Sequence, residues 1–178
     1  MVPLIGLFTG ARQNEICQLY ISDVYQEESS GIWVFDINEL NSSATRKSLK
    51  RPYHARQVPI HPILIKELKF LEFVESMKSG KHDRPFPELP YDEENKYGDQ
   101  LGRWFNRTYI NARNCNITTA KTSFHSLRHT VINYLVRIVG CSENEISHMM
   151  GQTPSGNEGA TRYVKSASLT EKRSGSMA

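Results

Sequence analysis

Residues 122–139 read TSFHSLRHTVINYLVRIV and are followed by Gly140. The stretch from Phe124 predicts one helix, and Gly140 supplies the left-handed residue that ends helices. His125 and Arg128 stand at i and i+3, so both sit on one face of it. On the C-terminal side, Ser142 followed three residues later by Glu145 is a capping-box pattern, which predicts another short helix ending near Gly151. On the N-terminal side, Leu101, Trp104, Phe105 and Ile110 give a helical apolar face over 101–111. The first 20 residues repeat that spacing through Leu4, Ile5, Leu7, Phe8, Ala11, Ile16 and Leu19, with a break or tight turn expected at Thr9-Gly10. Residues 32–37, IWVFDI, predict a strand. Val58-Pro59-Ile60 predicts a second short one, which its proline confines to an edge or an end. Pro62 opens a helix whose apolar face carries Ile63, Leu64, Leu68, Leu71 and Val74. Residues 80–99 are Pro-rich and charged and predict a loop. A turn over 152–159 and a helical turn over 160–164 complete an α+β chain that is mainly helical.

The chain has 178 residues, the length of about one domain of ~100–200 residues. Its hydrophobic fraction is 38% and its mean hydropathy −0.51, values of a globular chain with its own core. No run approaches the ~20 apolar residues of a membrane span, and the opening MVPLIGLFTGAR lacks the basic start and cleavage site of a signal peptide. Cys17, Cys115 and Cys141 form no CxxC pair and no zinc-like cluster, so reduced thiols and a cytoplasmic location are expected. Net charge is only +3, but it is unevenly spread. Residues 41–66 and 101–137 each hold six Lys or Arg and no acid. The acids gather in 67–99, among them Glu88, Asp92, Glu93, Glu94 and Asp99. Two acid-free basic blocks suit a polyanionic partner, or else an ordinary solvated basic face.

Three short motifs carry chemistry. TGARQNEICQL places Arg12 after a glycine bend, with Glu15 three residues on. HSLRH carries His125 and Arg128. TRYVK carries Tyr163. Taken singly, the first reads as a surface cation, and the other two read more readily as a polar helix start and a half-buried aromatic. Their order along the chain, with a basic turn between the two arginines, resembles the catalytic domain of the tyrosine recombinase (phage integrase) family. The resemblance spans nearly the whole chain. TGARxxEIxxL followed by Asp23 is similar to the family's first arginine box, HxLRHT to its second, and MGQ…TRYVK to its LGH…RY box.

That resemblance implies a mainly helical catalytic domain with a small antiparallel β-sheet over 1–165. It also implies a flexible or partner-packing tail over 166–178, and upstream helices and a DNA-binding arm outside this sequence. The implied activity is site-specific recombination or integration on double-stranded DNA, with a homotetramer assembled on the DNA and no metal or cofactor. Arg12 and Arg128 would fork onto the non-bridging phosphate oxygens, since arginine stays charged at any working pH. Tyr163 would attack phosphorus and form a 3′-phosphotyrosine. A phenol with pKa ≈ 10 needs a proton acceptor, and His125 is the candidate. The leaving 5′-hydroxyl needs a proton from a lysine of the basic turn. The resemblance places that lysine about eight or nine residues before the strand proline, which implies Lys50, nine before Pro59, with Lys47 as the alternative. Glu15 either orients the arginines or simply packs. Gln152 stands where the family usually has His or Trp; its amide can also donate a hydrogen bond. Two other outcomes share the motif set: relaxation of DNA in the manner of a type IB topoisomerase, and an inactive DNA-binding regulator.

Overall fold

The computed structural model describes residues 1–40, 46–50, 54–110, 112–117 and 121–152. Its elements run α1 (Val2–Thr9), α2 (Gln13–Cys17), β1 (Val24–Gln26), β2 (Trp33–Ile37), β3 (Arg56–Pro59), α3 (Pro62–Lys66), α4 (Phe70–Ser79), α5 (Asp99–Trp104), α6 (Ala112–Cys115), α7 (Phe124–Tyr134) and α8 (Glu143–Met150). The expected α+β fold, mainly helical with one small antiparallel sheet, is the one found. The sheet has the order β1-β2-β3, both pairs antiparallel, with Val24 opposite Phe35 and Phe35 opposite Val58. Pro59 closes β3 on an edge of that sheet, where a residue without an N–H is tolerated.

Two helices extend in an unexpected form. After α5 the chain loosens over Phe105–Tyr109 into a wider turn, in which the Ile110 N–H reaches the Phe105 carbonyl. After α7 the same widening occupies Leu135–Val139 and ends at Gly140, with φ 78°. Such turns leave the helix direction intact while shifting which side chains face inward.

The core lies between the sheet, α1, α3 and α4. Ile5, Leu64 and Phe70 are fully buried there, and the Phe35 and Phe70 rings meet edge to face at 5.4 Å. The single helix predicted after Pro62 is in fact two. It stops at Lys66, Lys69 takes a left-handed φ of 52°, and α4 restarts at Phe70. Leu64 and Phe70 are six residues apart, so an unbroken helix at 100° per residue would leave them about 120° apart around its axis. The break lets both face the core. α1 crosses α7 closely because Gly6 has no side chain. A Cβ there would lie 2.7 Å from the Phe124 ring. A second cluster of Ile132, Ile146 and Met150 fastens α8 to α7.

Candidate phosphate-binding active site

The site starts where α1 stops. The Thr9 hydroxyl donates to the Ile5 carbonyl at 2.6 Å and accepts the Ala11 N–H at 3.1 Å, which ends the helix and turns the chain. Gly10 makes the turn at φ 64°, and a Cβ on it would meet the Met150 sulfur at 2.9 Å. The chain then re-enters a helix with Arg12 in the capping position. Glu15, in the first turn of α2, reaches back to accept the Arg12 N–H at 2.9 Å and Arg12 Nη1 at 2.7 Å. Glu15 is 4% exposed and takes a second arginine, Arg56 Nη2, at 2.9 Å. Burial pushes its carboxyl up, but the charges and hydrogen bonds of Arg56 and Arg12 outweigh that and hold it below the ordinary glutamate value.

Arg128, in the second turn of α7, is 2% exposed. Its Nη1 donates to the Gly10 carbonyl at 2.7 Å and its Nη2 to the Met150 carbonyl at 2.8 Å. Arg56 donates through Nε to the Met149 carbonyl at 3.0 Å and through Nη1 to the His54 carbonyl at 2.9 Å. The last carbonyls of a helix lack partners within it. Here two guanidiniums supply them, a favourable placement of cations at the negative end of α8. Gly151 follows at φ 60°, and a Cβ there would lie 2.8 Å from Arg56 Nη1. Arg56 therefore packs on the bend through which the chain leaves α8 toward Gln152.

His125 is exposed and its ring meets that of His129 edge to face, with centroids 4.8 Å apart. Partial burial lowers its pKa below the ordinary histidine value, and the neighbouring charges of His129, Arg128, Arg12 and Lys50 lower it further. Burial, with help from Arg12 and Arg56, brings Arg128 down to about 9, still protonated at neutral pH. Arg12, Arg128 and His125 line one small cavity of about 170 Å³, whose wall also includes Ser123 and Asn106. Asn106 comes from the wide turn after α5, and its Oδ1 accepts the Phe124 N–H at 2.8 Å. That bond seats the start of α7 and so places His125. The arginines around Glu15 outnumber it, which leaves the cavity positive and suited to an anion.

The two candidate lysines separate by environment. Lys47 is buried, with Nζ 2.5 Å from Asp23 Oδ1 and 3.0 Å from Asn38 Oδ1. Ser48 donates its N–H to Gln18 Oε1 at 3.0 Å and Leu49 is buried, so these residues pin the segment to the core. Lys50 is exposed at its end. Lys47→Met should therefore cost about 3 kcal/mol in a denaturant melt by stranding the buried Asp23 charge, while Lys50→Met should leave the melt within about 0.5 kcal/mol, as a surface substitution does. Equal losses would contradict this division of roles.

The structure thus brings Arg12, Glu15, His125 and Arg128 together, with Lys50 near enough for its charge to act on His125. Gln152 does not line the small cavity. Its N–H donates to the Ser147 carbonyl at 2.8 Å, and its Oε1 is buried without a hydrogen-bond partner among the described residues. Tyr163, with the turn and tail expected around it, lies outside the described residues. The sequence reading missed Arg56, His54 and Asn106. Arg56 did leave a signal, because it shares the inward face of β3 with Val58 two residues on, and an inward arginine requires partners. Among the described residues no group of three metal-ligating side chains gathers, and no helix is long and apolar enough to cross a membrane.

No protein-family model and no curated protein matches the chain. Solved structures do. XerA recombinase is 22% identical, with a TM-score of 0.60 over 98% of this chain and 54% of its own. The Tn1549 transposon integrase in complex with transposon right-end DNA is 16% identical, with a TM-score of 0.57 over 96% of this chain and 56% of its own. The same integrase on circular-intermediate DNA gives 0.53 at 16% identity. At these identities the likeness is one of fold, and the fold is that of tyrosine recombinase catalytic domains. The chain spans just over half the length of the solved chains it matches.

Proposed function

We propose that the chain is the catalytic part of a DNA breaking-and-rejoining enzyme, a site-specific recombinase or integrase acting on double-stranded DNA. The observation that carries this reading is the small positive cavity on which Arg12, Arg128 and His125 converge. Arg12 and Arg128 hold the scissile phosphate and stabilise the charge that grows on its non-bridging oxygens. Such preorganised donors are commonly the largest part of a rate enhancement. Tyr163 Oη forms a bond to phosphorus as the bond from phosphorus to the 5′-oxygen breaks. His125 takes the phenolic proton and Lys50 gives one to the leaving oxygen. The product is a 3′-phosphotyrosine and a free 5′-hydroxyl. The 5′-hydroxyl of a partner strand reverses the step, so no external energy source is consumed. Glu15 and Arg56 act as positioning residues, the first through Arg12 and the second through Glu15 and the end of α8. The DNA-bound state of the Tn1549 integrase supports duplex DNA as the partner, and four protomers on two duplexes are the proposed working assembly.

The test is incubation with a nicked duplex that loses its 5′-hydroxyl fragment after cleavage and so traps the intermediate. A covalent protein–DNA adduct is expected. Binding without any adduct would show an inactive DNA-binding protein instead.

The pH dependence follows from His125. As the proton acceptor it must be neutral, and its lowered pKa keeps it neutral further into acid than an ordinary histidine. Adduct formation at sub-saturating DNA reports the free enzyme. It should stay flat as pH falls from 8 to about 6.5, the unperturbed histidine value, and decline only below it. A decline already complete by pH 6.5 would remove His125 from this role.

A further inference from the structure

Beside the small cavity a second, open cleft of about 500 Å³ runs between α2 and α5, and the two share Arg12, Asn106 and His125 in their walls. The cleft extends the site by Arg103 and Arg107, one helical turn apart. Arg103 is already ion-paired with Asp99 on the same helix. Arg107 is exposed and makes no ion pair among the described residues. Because Asn106 Oδ1 is taken by the Phe124 N–H, its amide end offers a donor rather than an acceptor. The floor is held close by Gln13, which donates to the Gly98 carbonyl and against which Gly102 leaves no room for a Cβ.

We propose that this cleft binds a second phosphodiester of the same DNA strand, next to the scissile one, with Arg107 and the Asn106 amide as its ligands. The inference rests on the functional reading above. An uncommitted guanidinium beside an oriented amide donor matches a phosphate monoanion, and the shared wall makes the two anion positions contiguous. The carboxylate of Asp99 is neutralised within the cleft by Arg103, so it does not repel the strand.

Small probes separate the two positions without knowledge of a target sequence. The thymidine dinucleotide TpT has one phosphodiester and the trinucleotide TpTpT has two. Each is titrated directly into the chain while the His125 ring protons are followed by NMR. TpTpT should bind about tenfold more tightly than TpT, the gain of one charge-assisted contact. Arg107→Gln should erase that preference, and Arg107→Lys should retain most of it. For a 30-base-pair duplex, Arg107→Gln should also reduce the salt slope by about one. Equal affinity of the two probes for the wild-type chain, or a preference that survives Arg107→Gln, overturns the second position. If the wild-type chain binds no duplex at low salt, the functional reading itself fails; intact duplex binding with no trinucleotide preference sinks the second position alone.

Discussion

Replacing Tyr163 by Phe is expected to abolish the covalent protein–DNA adduct while changing duplex affinity by less than about twofold. The substitution removes one oxygen, and that oxygen is the proposed nucleophile, so no slower route to the same intermediate remains. The arginines that would supply the affinity are untouched, and affinity dominated by phosphate contacts depends on them. The chain has eight tyrosines, which makes the assignment open to a sharp check. Tyr20 and Tyr97 are buried with their hydroxyls 3.4 Å apart, and burial followed by the Tyr20 contact pushes the Tyr97 phenol up to about 12. Tyr134 opens on an apolar hollow formed by α1, β3, α7 and α8 rather than on the positive cavity. Peptide mapping of the adduct should find the DNA on Tyr163. An adduct on another tyrosine, or one that persists in Tyr163→Phe, would refute the mechanism.

The second large effect is expected from Arg128→Lys, which keeps the charge and discards the fork. Arg128 ties the Gly10 and Met150 carbonyls together and also faces the cavity. A lysine ammonium is a single point and cannot serve two carbonyls and a phosphate in that planar geometry. One buried carbonyl is then left unpaired, a loss of about 1–3 kcal/mol in a denaturant melt. The rate of adduct formation should fall by about 10²–10³, the usual consequence of losing one preorganised donor. Single-turnover cleavage measured beside the melt distinguishes the two contributions. A variant that melts early yet cleaves at the wild-type rate would mean Arg128 is structural only.

How far the chain could be read before its structure depended on whether a feature was local. The start of α7, the Ser142 cap of α8 and the break at Thr9-Gly10 are written in adjacent residues, and all three are found. β1 is three residues long with no alternation to betray it. The split between α3 and α4 has no Gly or Pro at its hinge, because Lys69 adopts the left-handed conformation under the demand of burying both Leu64 and Phe70. The site divides the same way. Arg12, His125 and Arg128 were visible through their motifs. Asn106 was not, since its contribution comes from a contact between separate helices, its bond to the Phe124 N–H.

The excess of arginine over carboxylate around Glu15 has a thermodynamic consequence for the protein as a whole. Arginines gathered around a single carboxylate are a load on the folded state; burial first, and then the charges of Arg12 and Arg56, lower the proton affinity of Arg128. On the proposed function, a phosphate entering the cavity would relieve that load, so DNA would complete the fold as well as serve as substrate. By linkage, whatever binds the native state alone stabilises it. On that proposal, the chain would be at its most stable when holding the bond it would cut.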